Sequence, residues 1–164
     1  MAVPEAAQGI TAVVVTYNPD PEQLARLCQA VQPQVEHVVL VDNGSSAETL
    51  AALQALVEGP SSALTLLAQG ENRGIGAAQN AGIAMARQHG SRYVLLLDHD
   101  SIPEADMVAT LRAAIEDQPA GSPPVAAAGP RYADARQTTN PSPFVQLEGF
   151  KRVRCECQHA GQLI

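Results

Sequence analysis

Asp98 and Asp100 are two carboxylates separated by one residue, and they follow the apolar run Tyr93-Val94-Leu95-Leu96-Leu97. The run is short, continuous and uncharged, which predicts a strand buried on both faces in the middle of a parallel sheet. The aspartates then stand at its C-terminal end, the edge at which open α/β sheets bind ligands. Paired carboxylates repel one another unless a cation or hydrogen bonds compensate them. Mg²⁺ or Mn²⁺ accepts such oxygen ligands and can share them with a diphosphate. The chemistry suggested is a metal–nucleotide site. The competing reading is an acidic turn that caps the next helix.

Elements that would position this pair can be read along the chain. Residues 1–9 form a loose tail. Thr11 to Tyr17 is β-branched and predicts a strand. Asn18-Pro19-Asp20-Pro21 ends it and opens a helix, with Asp20 as cap, Pro21 in the first turn and Gln23 completing a box-like start. Leu24, Leu27, Cys28 and Val31 give that helix one apolar face. Val35 to Val41 is a second strand ending in Asp42-Asn43-Gly44-Ser45-Ser46. Ser45 and Glu48 have the spacing of a capping box for a helix with Leu50, Leu53 and Val57 inward and Gly59-Pro60 as its stop. Ala63 to Ala68 is a third, weaker strand. Glu71-Asn72-Arg73-Gly74-Ile75-Gly76 leads into a helix that ends near His89-Gly90, and its small residues allow close approach to a sheet. After the fourth strand, Pro103, Glu104 and Asp106 start a helix with acids in its first turn and Val108, Leu111 and Ile115 inward. Val125 to Ala128 is expected as a fifth short strand. The alternation implies an α/β fold with an open, mainly parallel, doubly wound sheet and helices on both faces.

Beyond Pro130 the pattern dissolves. Lys151, Arg152 and Arg154 form a short basic cluster expected on a solvated strand or loop. Cys155-Glu156-Cys157-Gln158-His159 has the wrong spacing for tetrahedral zinc. Three cysteines, an odd number, do not suggest a disulfide framework.

The chain has 164 residues, the size of one domain, and 46% hydrophobic residues suit a globular core. Its formal net charge of −7 argues against a nucleic-acid partner and suits a site that recruits a cation. No apolar run is long enough to span a bilayer and no leader pattern is present, so a cytoplasmic location is expected.

Thr16-Tyr17-Asn18, Asp42-Asn43 and Asp98-His99-Asp100 all fall at strand ends, which a parallel sheet brings to one edge. A dinucleotide-binding oxidoreductase would place G-x-G-x-x-G after the first strand, where Tyr17-Asn18-Pro19 stands instead. Gly74-Ile75-Gly76 comes after the third strand, and Gln79 occupies the place of a third glycine. No G-K-[ST] phosphate loop and no serine nucleophile elbow occur.

Val14-Val15-Thr16-Tyr17-Asn18, Val41-Asp42-Asn43-Gly44-Ser45, Asn72-Arg73-Gly74 and Leu97-Asp98-His99-Asp100 resemble, in order and spacing, the motifs of family-2 glycosyltransferases. The likeness is greatest to the rhamnosyltransferase-like branch, which attaches sugars to cell-surface polysaccharides. It covers roughly residues 10–131, and the implied architecture is a GT-A-like (Rossmann-like) fold truncated before the acceptor half. On that basis residues 1–9 are the tail, 10–131 the nucleotide-sugar-binding domain, and 132–164 the incomplete start of an acceptor-binding region.

The resemblance implies roles residue by residue. Thr16 and Tyr17 would flank the nucleotide base, beside Asn18. Asp42 would hydrogen-bond the base or ribose, unless it only forms an Asx turn around Gly44. Asn72, Arg73 and Gly74 would line the donor pocket. Asp98 would hold the ribose or share the metal, and Asp100 would ligate Mg²⁺ or Mn²⁺ directly. His99 is expected to face away, because alternate strand residues point to opposite sides. The implied reaction is sugar transfer from a dTDP- or UDP-linked sugar, with inversion, to a carbohydrate or lipid-linked acceptor. The location would then extend to the inner face of the membrane. The general base belongs to the acceptor half, and Asp134, Glu148 and Glu156 match no motif for it, so the catalytic residue is unassigned. The alternative function is a non-catalytic nucleotide-sugar-binding module. Apolar sheet surface left uncovered would favour self-association.

Overall fold

The structure, a computed structural model, describes residues 5–59, 63–130, 144–148 and 151–155. The chain divides into two units, residues 1–110 and 111–164. The first unit carries strands β1 (Ile10–Thr16), β2 (His37–Asp42), β3 (Leu64–Ala68) and β4 (Tyr93–Asp98), with helices α1 (Pro21–Val31), α2 (Ala47–Val57) and α3 (Ile75–Gln88) between them. Helix α4 (Met107–Glu116) crosses into the second unit. That unit also holds an antiparallel hairpin of β5 (Phe144–Glu148) and β6 (Lys151–Cys155), in the region where the sequence pattern dissolves.

The four strands pair in the order β3-β2-β1-β4, all parallel. Val15 lies opposite Val41 on one side and Asp98 on the other, and Thr16 lies opposite Asp42. This register brings the C-terminal ends of β1, β2 and β4 level along one edge. The α/β fold with a parallel sheet and helices on both faces is therefore as expected. On one face Ala12, Val14, Val38 and Leu40 pack with Leu24, Leu27, Cys28 and Val31 of α1, Leu53 of α2 and Val108 of α4. On the other, Val13, Val39 and Val41 pack with Ala78 of α3. Burial pushes the Cys28 thiol up to about 11, which keeps it neutral inside this core.

Two expectations about strands fail. β4 is not in the middle: among the described strands it pairs only with β1, and Leu96 is 45% exposed. Leu96 shares a face with Val94, the face on which α3 packs mainly over β1 and β2. Residues 125–128 form no strand. Val125-Ala126-Ala127-Ala128 has a single β-branched residue, too little to favour pairing.

Helix starts follow capping chemistry more closely than periodicity. The Asp20 carboxylate accepts from Gln23 N–H at 2.8 Å and Pro21 occupies the first turn, as read. For α2 the cap is Ser46 and not Ser45: Ser46 Oγ accepts from Thr49 N–H at 3.2 Å. Helix α4 begins at Met107, so Pro103, Glu104 and Asp106 precede it and its first turn holds no acid.

Helix α3 lies close to the sheet because of one glycine. A Cβ at Gly82 would overlap Val13 Cγ1 and come within 3.0 Å of Val41 Cγ2. Gly76, in the same helix, has no neighbour within 4 Å of such an atom. The same substitution should therefore have opposite signs at the two positions. Gly76→Ala is expected to raise stability by up to about 1 kcal/mol. At Gly82 that gain is outweighed by overpacking of about 1–3 kcal/mol, so Gly82→Ala is expected to be net destabilising. Urea denaturation of the two variants checks this.

Candidate active site

The site is the C-terminal edge of the sheet, and its floor is a turn organised by a buried acid. Asp42 is 1% exposed. Its Oδ2 accepts from the backbone N–H of Gly44 at 3.2 Å and of Ser45 at 3.1 Å, and its Oδ1 accepts from the Ser45 hydroxyl. A carboxylate removed from water needs this many donors. The Asx turn weighed as the other reading of Asp42 is thus present, and it uses three of about four acceptor positions. Gly44 has φ +88°, and a Cβ there would stand 2.6 Å from Asn72 N. The turn and the 71–74 loop touch backbone to backbone, which only glycine permits here.

Asn43, 5% exposed, joins the two loops. Its N–H donates to Thr16 O at 2.8 Å, and its side-chain amide donates to Asn72 Oδ1 at 3.1 Å. Its Oδ1 accepts from Arg73 N–H at 2.9 Å. Asn72 Oδ1 also accepts from Gly74 N–H at 3.0 Å, just where Gly74, at φ +83°, opens α3. Asn72 is therefore held in place, whereas Arg73 projects outward. Its guanidinium pairs with Glu71 at 3.0 Å, with both side chains well exposed.

Asn18 ties the first strand end to α2. It is the one described non-glycine residue with positive φ, at +44°, a conformation asparagine tolerates better than most. Its N–H donates to Ser45 Oγ at 2.8 Å and its Oδ1 accepts from Ser46 N–H at 2.9 Å. Ser45 therefore relays a hydrogen bond from Asn18 to Asp42. Thr16 is fully buried, and its hydroxyl reaches Val41 O at 3.5 Å. Its side chain supports the edge from beneath and presents nothing to a ligand. Tyr17 is 50% exposed, so its ring is available at the rim.

Asp98 and Asp100 are both exposed, on a tight turn closed by Ser101 N–H donating to Asp98 O at 3.2 Å; His99 between them is partly buried. Among the described residues no group of three or more His, Cys, Asp or Glu side chains could hold a metal alone. Two exposed carboxylates fit a hard cation that completes its shell with water and phosphate oxygens, as Mg²⁺ usually does. Of the late acids, Asp134 and Glu156 lie outside the described residues, as do Cys157 to His159, and Glu148 lies on β5. Among the described residues no helix is long and apolar enough to cross a membrane.

The structure thus gathers Tyr17, Asn18, Asp42, Asn72, Arg73, Gly74, Asp98 and Asp100 on one edge, with Thr16 below. Ser45, expected as a helix cap, gives its hydroxyl to Asp42 instead, and Asn43, expected only as part of a motif, links the two loops. The signal was there: a glycine after an acid and an amide marks a turn, and a turn needs donors and acceptors.

Asn43→Ala leaves Arg73 N–H without its partner and Asn72 Oδ1 with Gly74 N–H but no Asn43 amide, and a loss of about 1–3 kcal/mol is expected. Arg73→Ala removes only an exposed ion pair and should change stability by no more than about 1 kcal/mol. Chemical denaturation of both variants separates the buried tie from the surface pair.

Residues 11–157 match the family described as Glycosyl transferase family 2. A curated relative, dTDP-rhamnosyl transferase RfbF of Shigella flexneri, is 37% identical over 92 residues, which is 56% of this chain and 29% of the relative. Among solved structures, S. aureus TarS (residues 1–349) superposes with a TM-score of 0.51 at 23% identity, covering 66% of this chain and 32% of that one. The latter likeness supports the GT-A-like fold. The chain spans less than a third of the length of the RfbF relative and about a third of the TarS structure.

Proposed function

The chain belongs to glycosyl transferase family 2, and we propose that its sheet edge binds the nucleotide-diphosphate half of an activated sugar, with dTDP-rhamnose as the leading donor. The observation that carries this reading is the placement of two exposed carboxylates, Asp98 and Asp100, level with the hydrogen-bonded loops at Asp42 and Asn72. The sugar of the donor is suggested by the 37% identity to a dTDP-rhamnosyl transferase.

In this reading Tyr17 offers its exposed ring to the base. Asp42 acts through the turn it builds, which sets Gly44 and Ser45 at the edge. Asn72 and Gly74 line the pocket, and Arg73 can leave Glu71 to meet a phosphate, a bidentate partner that suits a guanidinium. Asp100 would ligate Mg²⁺ or Mn²⁺, and Asp98 would share it or hold the ribose. When bound, the cation neutralises charge on the leaving diphosphate. The acceptor, a carbohydrate or lipid-linked hydroxyl, would attack from the face opposite the diphosphate and invert the anomeric carbon. That attack needs a general base, and we assign none to the described residues. The location proposed is the cytoplasmic side of the membrane. Self-association through the exposed Leu96 side of β4 is part of the same proposal.

Calorimetric titration of the chain with dTDP and with UDP, in Mn²⁺ and in EDTA, tests the donor site. Metal-dependent binding is expected, preferring dTDP, and Asp100→Ala should weaken it at least tenfold without changing the thermal midpoint. Equal binding in EDTA, or by Asp100→Ala, would contradict the assignment.

A further inference from the structure

The acidic turn is held from outside by a side chain of α1. Gln23 is the third residue of that helix, where a glutamine ordinarily reaches back to the cap residue's N–H. Here its Nε2 donates instead to Asp100 O at 3.0 Å, 77 residues away. Within the turn itself, Ser101 N–H donates to Asp98 O at 3.2 Å. A second glutamine, Gln34, holds the far end of the same loop. Its Nε2 donates to Glu104 O at 2.9 Å and to Ala30 O at 2.9 Å, and its Oε1 accepts from Val108 N–H at 3.1 Å. Gln34 thus satisfies an otherwise orphaned N–H in the first turn of α4.

We propose that Gln23 is a positioning residue for the acidic turn: it fixes the Asp100 backbone so that the Asp98 and Asp100 carboxylates stand ready for a cation–diphosphate ligand. The inference rests on the metal–nucleotide reading of that edge. Its physical basis is preorganisation. A turn that is ordered before the ligand arrives avoids the cost of ordering upon binding. Gln34 bears on Glu104 and α4, and so on stability, but not on Asp100. The two glutamines therefore divide one loop into a ligand-facing half and a structural half.

Gln23→Met retains length and helix propensity but removes the donor. Two readouts are needed: Mn²⁺–dTDP affinity by calorimetry, and hydrogen exchange at the Ser101 amide without ligand. Gln23→Met is expected to weaken affinity about fivefold, the share of one hydrogen bond, and to speed Ser101 exchange by a similar factor. Its thermal midpoint should stay near that of the unmodified chain. Gln34→Ala should do the reverse, lowering the midpoint and leaving affinity and Ser101 exchange unchanged. Unchanged Ser101 exchange in Gln23→Met would overturn the tether. Faster exchange with unchanged affinity would overturn its role in ligand binding. An unmodified chain that binds no Mn²⁺–dTDP would instead refute the reading of the edge, and the exchange measurement would still decide the tether.

Discussion

Parallel pairing of β1 with a strand on each side is the constraint on which the rest of this structure depends. Val13 and Val14 hydrogen-bond within a ladder to β2 on one side and β4 on the other, and their side chains enter the two opposite cores. Parallel strands must all return to the same starting edge, so their ends are forced to the opposite edge together. Residues from positions 17, 42 and 98 become neighbours for that reason alone. Gly82 sharpens the result by letting α3 sit against Val13 and Val41.

At that edge the chain spends its polar side chains on itself before any ligand is considered. Asp42, Asn43, Ser45 and Asn18 bond mainly to backbone groups of neighbouring loops. Such a network is favourable only when complete, because an unmet buried polar group costs more than a met one contributes. Outside that network stand exposed groups: Tyr17, Asp98, Asp100, and Arg73 paired with the likewise exposed Glu71. A hydrogen-bonded floor with exposed charged groups on it suits a site for a charged, flexible donor.

Much of this was legible in the residues. Val13 to Val15 and Val38 to Val41 announce buried strands through β-branching, and Asp20-Pro21 announces a helix start. The misreadings have common physical causes. The run Tyr93 to Leu97 is as apolar as a central strand, but composition does not reveal how many neighbours a strand has, and Leu96 is partly open. Ser45 and Ser46 both suit a helix cap, and only the claim of Asp42 on the Ser45 hydroxyl decides between them. Gln23 fits a local capping box, while its partner is a carbonyl far along the chain that no local pattern encodes. Asp42 was correctly placed at a strand end, yet its burial depends on donors from Gly44 and Ser45, which only the folded turn supplies.

We propose that a cation and a nucleotide diphosphate meet at the C-terminal edge of this sheet. Paramagnetic broadening of backbone amide signals by Mn²⁺ in the presence of dTDP tests it most directly. The edge lies about 20 Å from the opposite end of β1, so position is resolved along the strand. The strongest broadening is expected at residues 98–101, with clear effects at Tyr17, Asn18 and 72–74, and decay along β1 from Thr16 toward Ile10. Broadening centred on Gly9, Glu36 and Arg92 at the other edge, or none at Asp98 to Ser101, would contradict it.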